Sequence, residues 1–300
     1  MPLSVEIWIK SIVEGLFADD TFASRSIDHS EWVNDKRVHV PNAGSAPGVV
    51  KNRNVFPAQV TTREDVDLTY DIHEYTVDPV RIPNAEKVEL SYNKRESIVL
   101  QSRATLKERI HSSLIYEWIP SGVTLLQTAG AAVAAHIPSA TGMRKGMTKA
   151  TVEAAQLLFD SQDIPEAGRY MLLDAHMYNQ LKNSMTNNEL VAFLAGADPV
   201  KGVIGEYAGF RFFKRSKVAK ATGAGLVKEW SAADAATDSA AGIAWHEGCV
   251  SRALGAAELF DDQGNPLYYG DILSFLQRAG GHHIRADKKG IAMICQAAAQ

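Results

Sequence analysis

Residues 164–181, IPEAGRYMLLDAHMYNQL, gather Arg169, Asp174, His176 and Tyr178 within ten positions. A carboxylate near an imidazole, with a guanidinium and a phenol close by, is a set that acid–base chemistry and oxyanion binding draw on. The spacing argues against a shared site. Asp174 and His176 are two apart, and residues two apart on a helical turn do not face each other. Local structure accounts for the same residues. Pro165 and Gly168 hold the second and fourth positions of a type I turn. Residues 170–173 are a short apolar run that suits a buried strand. Asp174 is a strong N-cap for a helix with Met177, Tyr178 and Leu181 at helical spacing. No catalytic residue is assigned.

Little else in the chain spells chemistry. There is no Gly-x-Ser-x-Gly elbow and no phosphate-cradling glycine loop. Gly202-Val203-Ile204-Gly205 lacks the third glycine of a dinucleotide fingerprint. His282-His283 is the one adjacent histidine pair. On a strand the two point to opposite faces, so even with Asp287 they make a poor metal site. Cys249 and Cys295 lack a Cys-x-x-Cys partner, and His246-Glu247 lacks the second histidine of a zincin helix. No cofactor and no metal are expected.

The 300 residues are 46% hydrophobic and 22% charged, enough for a sizeable core in one large domain or two. A net charge of −4 carries no basic excess of the kind a dedicated nucleic-acid binder needs. Two cysteines make no disulfide framework, which suggests a reducing, intracellular setting. No apolar run reaches the roughly 18 residues of a membrane span. The opening residues do not read as a signal peptide, because Glu6, Lys10 and Glu14 interrupt the apolar positions. Val5, Trp8, Ile9, Ile12, Val13 and Leu16 instead line one face of a helix. That face packs on its own domain or on a neighbouring subunit.

The elements that must position everything else are longer. Val66, Leu68, Tyr70 and Ile72 alternate with polar residues, the period of a half-exposed strand. With the Pro- and Gly-rich segment before them they read as a long two-stranded arm over residues 31–83. Its charges are sorted. Residues 36–63 carry Lys36, Arg37, Lys51, Arg53 and Arg63 and no acid, whereas residues 64–89 carry eight acids, Glu64, Asp67, Asp71 and Glu74 among them, against Arg81 and Lys87. The two limbs either pair with each other or meet oppositely charged neighbours. Then Val99, Ser102, Leu106, Ile110, Leu114 and Trp118 follow 3–4 spacing up to Pro120, predicting a helix of about 25 residues. Its Lys94, Arg95, Arg103, Lys107 and Arg109 form a basic face. Thr148 is the expected N-cap of the helix that follows. SAADAATDSAAG, residues 231–242, reads as a mobile surface loop, and a turn is expected at Gln263-Gly264-Asn265-Pro266. The fold class is α+β.

This order of elements resembles the major capsid protein of tailed bacteriophages, whose fold herpesvirus capsid floors and encapsulin shells share. VNDKRVHVPNAG with TTREDVDLTYDIHEYTVDPVRI looks like the arm called the E-loop. ELSYNKRESIVLQSRATLKERIHSSLIYEW is similar to the spine helix, IPEAGRYMLLDAHMYNQL to a recurrent axial-domain segment, and DILSFLQRAGGHHIRADKKGIAMI to the closing strand pair. The resemblance implies an N-terminal arm (1–30), an E-loop (31–83), a peripheral domain (84–135 and 253–281) and an axial domain (136–252 and 282–300). It implies a structural, non-enzymatic subunit of a virion capsid, assembled in the host cytoplasm into hexamers and pentamers around double-stranded DNA held non-specifically. Portal, scaffolding and cement or decoration proteins would be partners, and no membrane would be involved. The expected inter-subunit residues are Trp8, Ile12, Lys36, Arg37, Lys51, Arg53, Arg63, Glu64, Asp67, Asp71, Glu74 and Arg169. An encapsulin-like compartment or a soluble α+β enzyme are the alternatives.

Overall fold

A computed structural model describes residues 18, 20–33, 36–44, 46–54, 56–58, 60, 62–83 and 94–299. The expected N-terminal helix, with Trp8 and Ile12, lies outside them. In chain order the strands begin with Ile27–Asp28 (β1), Arg37–Asn42 (β2), Val66–Asp71 (β3), His73–Thr76 (β4) and Val80–Pro83 (β5). The long helix Lys94–Trp118 (α1) follows. Thr124–Gln127 (β6), Ala132–Ala134 (β7) and Met143–Lys145 (β8) lead to Lys149–Ser161 (α2), Arg169–Asp174 (β9), Ala175–Asn183 (α3) and Asn187–Ala195 (α4). Then come Glu206–Tyr207 (β10), Phe210–Arg215 (β11), Ala219–Ala221 (β12), Val227–Lys228 (β13) and Ser239–His246 (β14). Val250–Leu254 (β15), Glu258–Asn265 (β16), Gly270–His283 (β17) and Ile291–Cys295 (β18) complete the chain. The class is α+β, as expected.

Two sheets share the work. In the first, the 14-residue β17 is paired along both edges, with β16 and β15 on one and β5 and β4 on the other, all antiparallel. In the second, β14 lies between β18 on one edge and β9 and β12 on the other. β9 continues in parallel to β11, and β18 in parallel to β6. Every residue of β9 and of β18 is buried, as expected of strands covered on both faces. β11 shows the period of two directly. Phe210 and Phe212 meet Phe159 of α2 and Phe193 of α4, at 5.1 and 5.3 Å between ring centres. Phe213 turns the other way, to Tyr170 and Trp245.

The helix α1 ties the sheets together. Leu106 and Ile110 pack on Phe275 and Ala279 of β17. Leu114, Ile115 and Trp118 instead join the core of the second sheet. Trp118 is fully buried against Phe22 and Trp245, and its indole N–H donates to Ser251 O at 2.8 Å. Arg215, from β11, reaches the same junction. Its guanidinium donates to Ser112 Oγ and Glu108 O of α1 at 3.0 and 3.1 Å and lies over the Phe22 ring. Close approach needs Gly281. A Cβ there would stand 2.2 Å from Leu114 Cδ1 and 2.6 Å from Ser251 O. The basic face of α1 is paired within the chain: Arg95 with Asp261, Lys107 with Asp20, Arg109 with Glu229, at 2.5 to 3.0 Å, and Arg103 lies over Phe275. The side chain of Lys94 is outside the description.

Several expectations change. Residues 239–242 of the supposed mobile loop form the buried start of β14. The remainder is held down. Lys228 pairs with buried Asp238 at 2.6 Å and buried Lys220 with Asp234 at 2.5 Å, while Arg144 donates to Asp238 O and Ala236 O. The β16–β17 turn sits at residues 266–269, after a register shift between Asp262 and Asn265. Thr148 holds the N-cap position of α2 but its side chain accepts no bond. Thr186, not singled out from sequence, forms a capping box with Glu189 on α4.

Trp118→Ala is expected to destabilise the chain by about 3–5 kcal/mol, because a large side chain is lost from a junction that cannot collapse. Trp118→Phe should cost about 1–2 kcal/mol, chiefly the indole bond. Urea unfolding followed by circular dichroism measures both.

Candidate functional site

The arm is built from β2 and β3, paired antiparallel from Arg37↔Asp71 out to Asn42↔Val66. The β2–β3 pairing covers only part of the 31–83 span. Residues 73–76 and 80–83 leave it and pair with β17 instead. Among the described residues of 43–65 there is no strand. Burial falls along the arm. Val38, Tyr70 and Ile72 form a small core with Val33 and with Ala253 of β15. Further out Val66 is 54% exposed, and beyond it Val49 and Val60 are each 96% and Phe56 75% exposed. Alternation therefore gives a packed root and an apolar tip that no described residue covers.

The sorted charges divide the same way. Along the paired limbs they meet each other. Arg37 Nε lies 2.7 Å from Asp71 Oδ1, and His39 Nδ1 lies 2.6 Å from Asp67 Oδ2. Arg37 holds the Asp71 carboxyl below its ordinary range, and exposed Lys36 adds to that field. Near the start of the second limb Arg63 pairs with Asp65 at 2.7 Å, and Asp65 also accepts the Gly44 N–H. Glu74 pairs with Arg278 across β4 and β17, at 3.5 Å. Lys51, Arg53 and Glu64 are exposed and have no ion pair among the described residues. All these pairs are at the surface, where each contributes about 0–1 kcal/mol.

Arg169 is not a surface residue. It is 2% exposed, donates to Ile164 O and to Pro165 O (2.9 Å), and pairs with Asp160 at 2.7 Å. It pins the turn that Gly168, at φ +87°, completes. An inter-subunit role for it is withdrawn, because its guanidinium is spent on the chain's own carbonyls.

The acid–base cluster also disperses. Arg169 and Asp174 mark opposite ends of β9, about 16 Å apart at strand rise. Asp174 caps α3, accepting the Met177 N–H at 2.7 Å through Oδ1. Its Oδ2 lies 2.5 Å from Nε2 of His136, whose ring stacks on His176 at 4.4 Å. The sequence reading missed His136, which sits 38 residues from Asp174. The Asp174–His136 pair fastens the loop after β7 to the start of α3. His282 and His283 do not diverge as expected. Their rings lie 4.0 Å apart, and burial pushes His283 down to about 4. Among the described residues no group of three or more His, Cys, Asp or Glu side chains forms a metal cluster.

At the arm's root an open cavity of about 600 Å³ lies between β3, β4, α1 and β17, walled by Tyr70, His73, Tyr75, Arg109, Glu117 and His282. Glu117 is the half-buried carboxyl in that wall. Burial pushes it up to about 7, against hydrogen bonds from the Gly281 amide and Ser113. Nothing around Glu117 along the chain marks it out.

No protein-family model and no curated protein matches the chain. Solved structures do. A chain of the capsid of Cyanophage P-SCSP1u superposes with a TM-score of 0.68 at 14% identity, over 99% of this chain and 94% of that one. A chain of the capsid of Ralstonia phage GP4 gives 0.67 at 13% identity, over 100% and 96%. A chain of Mycobacterium phage Che8 gives 0.64 at 15%, over 97% and 96%. The fold is that of tailed-phage capsid chains. Arm, long helix and both sheets lie within the covered length.

Glu117 makes a prediction about pH. Its folded-state value lies above its ordinary 4.5, so the folded chain keeps a proton that the unfolded chain loses. This contribution falls as pH rises from about 4.5 to 7 and stays lost above. His111 and His283, each held near 4 by burial, act in the opposite sense, losing stability as pH falls below 6.5. The difference between Glu117→Gln and the parent isolates the carboxyl. The variant should be equal at pH 4.5 and more stable by about 1–3 kcal/mol at pH 8, by urea unfolding. An equal gap at both pH values would rule this out.

Proposed function

We propose that the chain is a shell-building subunit, the major capsid protein of a tailed phage. It would assemble into hexamers and pentamers around double-stranded DNA held without sequence preference. The observation that carries this is the arm: a packed root followed by exposed Val49, Phe56 and Val60, beside Lys51 and Arg53, which have no ion pair among the described residues. Apolar and charged groups left together without partners mark a surface made for another molecule. The near full-length likeness to capsid chains supplies the setting.

In this reading residues 1–30 form an N-terminal arm, with Trp8 and Ile12 facing a neighbour. Residues 84–135 and 253–281 form a peripheral domain, and 136–252 with 282–300 an axial one. The extended arm is 31–83 by this division, with β4 and β5 at its foot joined to the sheet around β17. Lys36, Lys51, Arg53 and Glu64 are the arm residues for contact with neighbours, joined by Arg63, which also pairs with Asp65 of its own chain. Arg37, Asp67, Asp71 and Glu74 first pair within the chain and stiffen the root. The role is structural rather than catalytic. Portal, scaffolding and cement proteins are the further partners, and the place is the virion, assembled in the host cytoplasm.

Deleting residues 43–62 should leave the unfolding free energy within about 0.5 kcal/mol of the parent, since described side chains in that span are mostly exposed. It should abolish closed shells in negative-stain micrographs. Normal particles from the deletion would refute the role given to the arm.

A further inference from the structure

A second cavity, of about 240 Å³ and half enclosed, lies at the edge of the second sheet. Arg25 enters it from the segment before β1, Tyr170 from β9, Asp198 and Lys201 from the turn after α4, and Glu206 and Arg211 from β10 and β11. Three cations face two carboxylates. Lys201 pairs with Asp198 at 3.0 Å, and Arg211 with Glu206 at a loose 3.5 Å. Arg25 has no such partner. Its Nε is buried without an acceptor, and no group among the described residues accepts from its guanidinium. A buried donor left unmatched is costly and rare in native proteins, so each case calls for a partner.

The surroundings hold Arg25 in place for one. Its backbone carbonyl accepts the Trp245 indole N–H at 2.8 Å. Its guanidinium lies over the Tyr170 ring, 5.7 Å from the centre, which occupies its face and leaves the N–H edge to donate. Arg25 and Lys201 also line a second cavity of about 450 Å³. A planar fork of donors, in a pocket with an excess positive charge, suits a tetrahedral oxyanion better than a neutral or cationic ligand.

We propose that this cavity is an oxyanion site that takes a phosphate group on the guanidinium of Arg25, with Arg211 and Lys201 supporting its charge. The group can come from free inorganic phosphate or from a nucleic-acid phosphodiester. The site stands whether or not the chain builds a shell.

The test uses the full-length chain. Inorganic phosphate is titrated and followed by ³¹P NMR line width and thermal shift, against chloride at equal ionic strength. The parent should bind phosphate beyond the chloride response, and Arg25→Gln should bind about tenfold or more weakly. Arg211→Gln should weaken binding by a smaller factor, and it carries the test if Arg25→Gln does not fold. A short DNA duplex is then added. Competition with phosphate identifies the phosphodiester as the source, and lack of it identifies the free anion. A parent that responds to phosphate no more than to chloride overturns the proposal. So do folded Arg25→Gln and Arg211→Gln variants that both bind as the parent does.

Discussion

The indole of Trp118 is held by four segments, each far from it in sequence. Phe22 comes from the start of the described chain, Trp245 from β14, Ser251 from β15, and Gly281, which leaves room for the ring, from β17. The first sheet is built around β17 and the second around β14, and α1 belongs to both. Arg215 adds direction to that packing. Its bonds to Glu108 O and Ser112 Oγ fix how far along the helix the second sheet sits. Hydrophobic area supplies the energy here, and polar bonds supply the register.

The same division runs through the charges. Three of the five cations on α1, Arg95, Lys107 and Arg109, have a carboxylate from elsewhere in the chain, so much of a face that reads as basic in sequence is neutralised in the fold. Sequence lists charges by neighbour along the chain, but Asp20, Glu229 and Asp261 reach α1 from distant elements. The arm is the converse. Its limbs neutralise each other where they pair, and the ions without a partner among the described residues stand where pairing stops.

What was legible in the sequence was local. The 25 residues of α1 follow from 3–4 spacing ended by Pro120, and β9 with α3 from an apolar run followed by Asp174 as cap. What was not legible depended on distant partners. Residues 73–83 read as arm because their partner, β17, lies some 200 residues on. Residues 239–242 read as loop because Ser, Ala and Gly also serve where backbones crowd; a Cβ on Gly242 would sit 2.7 Å from Leu172 O. Arg169 read as surface because nothing in its neighbours along the chain announces that carbonyls 164 and 165 turn back toward it. At the candidate site, the arm's charge sorting was visible, but Glu117 and His136 were not, since neither stands out until strands and helix meet.

The gradient of burial along the arm separates two kinds of selection. Root positions such as Val38, Tyr70 and Ile72 answer to folding, because they share a core with β15. Tip positions such as Val49, Phe56 and Val60 stand exposed, uncovered by any described residue. Substitutions there are nearly invisible to the stability of the single subunit and are judged only by what they touch outside it. The tip can therefore drift to fit a changed partner while the fold stays as it is.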